Sequence, residues 1–343
     1  MKIMELYPED CIQSRKGDVV LVKYPPSKKN DPAYAKFRSA VFCNGVLVGA
    51  SPSKSVSYTY FRNTYPIESC VLEEFVEGTM INVWYGNNTW NIATRSVIDA
   101  TCTFESDKTF SEMFYECMTN DPLELDTAYC YSVVMQHPEN KIVTPVDAMK
   151  LYIVGQYQIV NGVAVECPDV SHSPTRYTVA SYEEAEALAQ TVGGKGLMLK
   201  CNGERSKIKR TQYYDLEHRK GNESFLYTYL SVRNRNPDVT LFFADFPWYV
   251  SEGVQIENRV NQLIQTLYTS YVSYYIRKQQ MPPHFPYKKS LCEIHAIYRQ
   301  FRLRITQANV HAYVNQLHPR QLTYLLRSER TARIVPSPPD TIG

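Results

Sequence analysis

The stretch EEFVEGTMINVWYGNNTWNIATRS, Glu73 to Ser96, carries the clearest local signal in the chain. TMINVWY and TWNIATR are rich in β-branched and aromatic residues, which pack well on a pleated surface. Between them Gly86-Asn87-Asn88 tolerates the positive φ of a tight turn, so the stretch reads as a β-hairpin. Trp84, Tyr85 and Trp90 then fall where cross-strand side chains meet, and packing rather than base stacking is their expected role. Outward from the hairpin, short strands are predicted as far as Val165, including LYIVGQY, Leu151 to Tyr157. SYEEAEALAQTV, Ser181 to Val192, reads differently. Ser181 can cap a helix, glutamates follow in its first turn, and Gly193-Gly194 stops it.

Five segments in a fixed order resemble the RNA ligase family typified by phage RNA ligases, including the RNA-ligase-like proteins that large DNA viruses encode. Phe75-Val76-Glu77-Gly78 stands where ATP-dependent ligases and capping enzymes carry KxDG, the lysine that takes AMP or GMP through a phosphoramide bond. SPSKSVSYTYF, Ser51 to Phe61, looks like the segment leading into the family's nucleotide pocket. YSVVMQHPENKIV, Tyr131 to Val143, is similar to the third motif, a carboxylate-bearing strand ending in PxNxIV. GGKGLMLK, Gly193 to Lys200, looks like the fourth motif, EGxV, and KIKRTQYY, Lys207 to Tyr214, like the fifth, KxK. The match runs from Phe37 to Asn222.

Lysine adenylylation needs an amine beside the α-phosphate, carboxylates to hold a divalent ion and orient the ribose, and cations to neutralise the triphosphate. Phe75 cannot attack phosphorus. Val134 falls at the carboxylate of the third motif and Lys195 at the glutamate of the fourth, which inverts its charge. The resemblance therefore implies a catalytically degenerate relative rather than a working ligase. Lys195 and Lys200 are the candidates for a displaced nucleophile. No resident cofactor or metal is expected, and ATP and Mg2+ enter only if such a lysine acts. By the same resemblance Glu77, Gly78, Lys200, Lys207 and Lys209 are expected to hold nucleotide phosphates. Glu77 reads either as a strand-end carboxylate or as a ligand-facing one. Lys207 and Lys209 alternate on a strand and share a face, which suits either a solvated edge or phosphate contact. Phe75 reads as a filler of the vacated lysine site.

With 343 residues, 44% of them hydrophobic, the chain can bury a full core and divide into two domains. No apolar run approaches the length of a membrane span, and MKIMELYPEDC is too charged for a signal peptide, so no membrane partner is expected. Nine cysteines without CxxC spacing read as free thiols of a reducing compartment, and seven scattered histidines complete no metal-ligand pattern. The expected location is cytoplasmic, in a host cytoplasm or virion if the protein is viral. The net charge of +2 conceals an asymmetry: residues 277–343 carry eleven Lys and Arg against three Asp and Glu, and residues 195–220 carry eight against three. Tyr213, Tyr214, Tyr298 and Phe301 interleave with these cations, a pattern that suits a phosphate backbone with stacked bases. Arg205, Arg210, Arg299, Arg302 and Arg304 are thus candidate nucleic-acid contacts. RNA, a nucleotide or viral proteins are the expected partners, and an ordinary solvated face is the plainer alternative.

The whole reads as α+β. Residues 1–34, with Pro25-Pro26 and Pro32, are expected to form an irregular arm. Residues 35–224 are expected to form a ligase-type nucleotidyltransferase domain of antiparallel sheets, and 225–335 a helical domain of the kind phage RNA ligases append. The proline-rich residues 336–343 are expected to be a flexible tail. In VQIENRVNQLIQTLYTSYVSYYIRKQQ the residues Val260, Leu263, Ile264, Leu267 and Tyr271 form one apolar helical stripe, a core face. His295, His311 and His318 read as packing or surface residues.

Overall fold

Three antiparallel sheets account for the strands between Ile12 and Lys209. The structure, a computed structural model, describes residues 7–167, 171–221, 223–282 and 284–332. The chain divides into two compact units, residues 1–218 and 219–343. The proposed tail at 336–343 lies outside the described residues, as do residues 1–6 of the expected arm.

The first sheet is a meander of β1 (Ile12–Lys16), β2 (Val19–Lys23), β3 (Ala40–Cys43) and β4 (Val46–Ala50). Residues 12–23 are therefore no irregular arm. Val19-Val20-Leu21-Val22 is an apolar, mostly β-branched run, and β2 uses it to pair with strands on both sides while burying Val20, Leu21 and Val22. The prolines come after the strand, in 3-10 turns at Pro26–Lys28 and Pro32–Arg38, where a missing N–H breaks no ladder.

After β5 (Val71–Glu74), the second sheet is built from β6 (Thr79–Gly86), β7 (Thr89–Thr94), β8 (Cys130–Gln136), β9 (Lys150–Val160) and β10 (Val163–Glu166), in the order β10-β9-β8-β6-β7. The hairpin expected from Glu73 to Ser96 is β6 and β7, with Tyr85 opposite Trp90 and Gly86 opposite Thr89. Asn87 at φ 53° and Asn88 at φ 59° supply the left-handed pair of a two-residue turn. Tyr85 and Trp90 rings meet edge-on at 5.3 Å, while Trp84 is buried on the opposite face. The third sheet has the order β11-β5-β12-β13, adding β11 (Arg176–Tyr177), β12 (Gly196–Cys201) and β13 (Glu204–Lys209).

Strand alternation decides the layering. Ile81 and Val83 of β6 join Val133, Met135, Leu151 and Ile153 beneath Met113, Phe114 and Cys117 of a helix, Phe110–Asn120. Trp84, Cys130 and Tyr157 face the other way, onto Leu21 and Val41 of the first sheet. In the third sheet Leu72, Leu197, Leu199 and Ile208 pack beneath two helices, Tyr58–Thr64 and Tyr182–Thr191. In chain order α1 is Tyr58–Thr64, α2 Phe110–Asn120, α3 Tyr182–Thr191 and α4 Thr211–Lys220. Ser181 caps α3 as expected, accepting from the Glu184 N–H. Helices α1 and α2 interrupt the region read as strands. The signal for α2 was present: Thr109 and Glu112 close a reciprocal capping box.

The second unit is helical: α5 (Phe225–Val232), α6 (Asn236–Asp245), α7 (Val250–Tyr271), α8 (Lys288–Phe301), α9 (Gln307–Gln316) and α10 (Pro319–Ala332). The predicted stripe of α7, from Val260 to Tyr271, is buried together with Gly253 and Ile256. Helix α6 falls on VTLFFAD, which lacked a clear apolar period. It is held by Phe242 and Phe246, whose rings join Phe225 and Tyr249 in one aromatic cluster. No helix among the described residues is long and apolar enough to cross a membrane.

Candidate functional site

The polar face of the third sheet is set by the same alternation that buries its apolar face. In ERSKIK of β13, Ser206 and Ile208 turn inward, so Arg205 and Lys207 turn outward. Register places Lys207 opposite Met198 and Arg205 opposite Lys200 on β12, and Met198 opposite Glu73 on β5. Glu73, Met198, Lys200, Arg205 and Lys207 therefore share one face, and all five line a cavity of about 440 Å³. Met80, Val134 and Val154 of the second sheet line it as well, as do Tyr24, Lys29, Arg38, Lys54 and Arg95.

The cavity is strongly cationic. Lys29, Arg38, Lys54, Arg95, Lys195, Lys200, Arg205 and Lys207 line it against two carboxylates, Glu73 and Glu74. One of those carboxylates is already engaged: Lys200 Nζ lies 2.5 Å from Glu73 Oε1 and donates to the Val154 carbonyl at 2.9 Å. Burial pushes the amines of Lys195 and Lys207 below the ordinary lysine range, and for Lys207 the nearby Lys209, Lys195 and Arg38 add to the effect. Burial and Arg38 likewise lower Arg205 to about 10, although its guanidinium donates to the Ser53 carbonyl at 2.6 Å. Burial pushes the Glu74 carboxyl up.

Phe75, expected from the resemblance at the nucleophile's place, is half-buried and lines this cavity rather than the core. Its backbone is pinned to the start of β12: Phe75 N–H donates to the Gly196 carbonyl and Lys195 N–H to the Phe75 carbonyl, both at 2.8 Å. That pairing brings the Lys195 ammonium to 5.4 Å from the Phe75 ring centre, with Lys207 at 5.7 Å.

Glu77 does not line the cavity. It is 3% exposed, and its carboxylate accepts from the Val143 N–H at 2.5 Å and from both the N–H and the hydroxyl of Thr144. Of its two expected readings, the strand-end structural one describes this geometry: Glu77 ties down the loop that follows β8. Gly78 is required for close approach, because a Cβ there would lie 2.5 Å from the Met135 carbonyl oxygen and 2.6 Å from Val134 Cγ1. Lys209 is exposed, with its amine 4.2 Å from the Tyr214 ring centre, and Arg210 donates to Gln212 Oε1; neither lines the cavity. Arg299, Arg302 and Arg304 belong to the other unit and are exposed.

The sequence reading missed Lys29, Arg38, Arg95 and Glu73. They come from separate turns and strands with no common spacing, and only folding gathers them. Lys54, within the segment expected to lead into a nucleotide pocket, lines this cavity. The donor set does not fit a divalent ion. Glu73 is paired with Lys200, burial raises the pKa of the Glu74 carboxyl, and Val134 offers no oxygen. Among the described residues no three His, Cys, Asp or Glu side chains converge on a metal site. All nine cysteines are free thiols.

No protein-family model matches the chain. A curated protein described as RNA ligase, from Rhodothermus phage RM378, is 29% identical over 159 residues. That match covers 43% of this chain and 33% of the phage protein, so the chain spans about a third of that relative's length. Among solved structures, a protein assigned as an ATP-dependent DNA ligase from Aquifex aeolicus is similar at TM-score 0.41 and 13% identity, over 77% of this chain and 78% of that one. An archaeal ATP-dependent RNA ligase is similar at TM-score 0.37 and 12% identity, over 66% and 63%. By sequence, in the stretch shared with the phage protein, the chain is RNA ligase-like, and its architecture is α+β, antiparallel sheets followed by helices.

Proposed function

We propose that the cavity of residues 1–218 binds the phosphates of RNA or of a nucleotide without transferring a nucleotidyl group. One observation carries the reading: eight cations line the cavity against two carboxylates, and Phe75, which the resemblance sets where ligases carry the attacking lysine, lines it too. Like charges held together lower each other's proton affinity, and an anion bound among them relieves that repulsion. A phosphate-bearing ligand has the matching charge, and Arg and Lys both suit its oxygens. A ring at position 75 leaves no amine there to form a phosphoramide. A role as a binding scaffold in an assembly, including a viral one, is compatible with the same chemistry.

A second reading is favoured by one feature. The Lys195 amine sits over Phe75 inside the cavity with its pKa lowered by burial, which makes it a stronger candidate for a displaced nucleophile than Lys200, whose amine is held by Glu73. Incubation of the purified protein with radiolabelled ATP or GTP, with magnesium or manganese, separates the two. The binding reading expects no stable labelled protein band, together with saturable nucleotide binding in the same preparation. A labelled band that persists in Lys200→Arg and disappears in Lys195→Arg would establish the displaced nucleophile instead.

A further inference from the structure

The helical unit carries a column of four stacked rings that begins in its core and ends in solvent. Tyr271 and Tyr275 stack at 5.2 Å and 14°, Tyr275 and His295 at 4.2 Å and 29°, and His295 and Tyr298 at 5.4 Å and 25°. Tyr271 is buried, whereas Tyr298 is 36% exposed. Along α8, the face that buries Leu291 and Ile294 continues through His295 and Tyr298 to Phe301, which is 58% exposed. Ile276 and Leu303 beside these segments in sequence are 63% and 60% exposed. The helix thus carries its apolar stripe past the edge of its own core.

Cations frame the open end. Arg277 and Lys278 follow the π-helical turn Val272–Ile276, and Arg299, Arg302 and Arg304 lie on and just after the last turn of α8. All five are exposed, and among the described residues none is ion-paired. Between residues 272 and 306 there are seven Lys and Arg against one carboxylate, Glu293, which is engaged by the Tyr313 hydroxyl at 2.6 Å. Burial, followed by Arg299 and Lys278, holds the His295 imidazole below its ordinary range. A neutral imidazole stacks in the column without adding to the local positive charge.

An exposed aromatic stripe alone would suit any apolar partner. Here the stripe is a stack with an exposed end, Lys278 and Arg299 act on the His295 ring within it, and the segments that carry it hold five exposed cations outside any ion pair and a single carboxylate. We infer that the Tyr298–Phe301 face of α8 is a stacking platform for single-stranded nucleic acid, with bases continuing the Tyr275–His295–Tyr298 column and Arg277, Lys278, Arg299 and Arg302 contacting the backbone. Any base can stack on such a face, so the platform is tolerant of sequence. The inference concerns residues 219–343 alone and stands whether or not the cavity of residues 1–218 binds a nucleotide.

The test is fluorescence anisotropy of labelled single-stranded uridine and adenosine oligonucleotides across a salt series, in full-length protein carrying Lys207→Ala so that the cavity's contribution is reduced. The double variant Tyr298→Ala, Phe301→Ala is expected to weaken binding roughly five- to a hundredfold with the salt slope unchanged, because a stacked base releases no counterions. Tyr298→Phe should retain affinity. Arg299→Ala with Arg302→Ala should instead flatten the slope, by about one for each lost phosphate contact. An oligonucleotide carrying 5-iodouridine should crosslink on irradiation to Tyr298 or Phe301, as read by mass spectrometry. All four side chains are exposed, so the variants should fold, and circular dichroism checks this. Unchanged affinity in the aromatic double variant, equal binding of duplex and single strand, or crosslinks confined to residues 1–218 would overturn the inference. So would a change in sedimentation of that variant without nucleic acid, which would assign the stripe to contacts between copies of this chain.

Discussion

Lys195 and Lys207 show how single residues acquire their acid–base character from their neighbours. Each is an ordinary lysine by sequence; in the fold both amines approach the Phe75 ring and are held below the usual lysine range, chiefly by burial. A phosphate bound between them favours their protonated forms, so binding at alkaline pH takes up protons. Affinity is therefore expected to be full where both amines are protonated and to fall as pH rises through their depressed pKa values, earlier than for surface lysines. Calorimetry in two buffers of different ionisation enthalpy measures that uptake directly. A flat pH profile with no proton uptake would remove these lysines from the contact. Glu77 teaches the opposite lesson. Its place in the motif pointed with equal force to a ligand and to a structural role, and only its bonds to Val143 and Thr144 distinguish them.

Elements were legible in proportion to how local their determinants are. The β6–β7 hairpin and α3 carry their own turn and cap, and both form where expected. Helix α2 carries an equally local signal in Thr109 and Glu112, but aromatic residues at Phe110, Phe114 and Tyr115 resemble strand composition. Its capping box satisfies backbone groups that would otherwise be left unpaired at the helix start. Thr109→Ala is expected to destabilise the protein by about 1 kcal/mol while leaving nucleotide affinity unchanged, because α2 packs on the face of the second sheet formed by Ile81, Val133 and Met135. Denaturant titration beside a binding isotherm checks both halves. A loss of affinity matching the loss of stability would show that α2 and the cavity respond as one. The β1–β2 hairpin is masked in the sequence by the prolines nearby, which signal turns, although the run Val19-Val20-Leu21-Val22 pairs intact on both sides.

At the scale of the whole molecule, the cavity's excess of positive charge should make ligand binding visible as stability. A nucleotide at a hundredfold its Kd stabilises the folded state by about 2.7 kcal/mol. The lining does not fit a divalent ion, so the rise in Tm with ATP is expected to be the same in EDTA as in magnesium. A rise seen only with magnesium would mean that a metal, not the lysines, neutralises the phosphates. By itself the sequence determined the alternation of β13, the hairpin, the capped helix and the apolar stripe of α7, because each follows from side-chain periodicity and turn chemistry within a few residues. It also determined that no amine occupies position 75. The tertiary structure alone decided that Lys29, Arg38, Lys54 and Arg95 join Lys195 and Lys207 around one cavity, that Glu73 holds Lys200, and that Glu77 faces a loop. These depend on strand register and on contacts between residues far apart in the chain. No local pattern encodes a neighbour that only the packed sheets bring near.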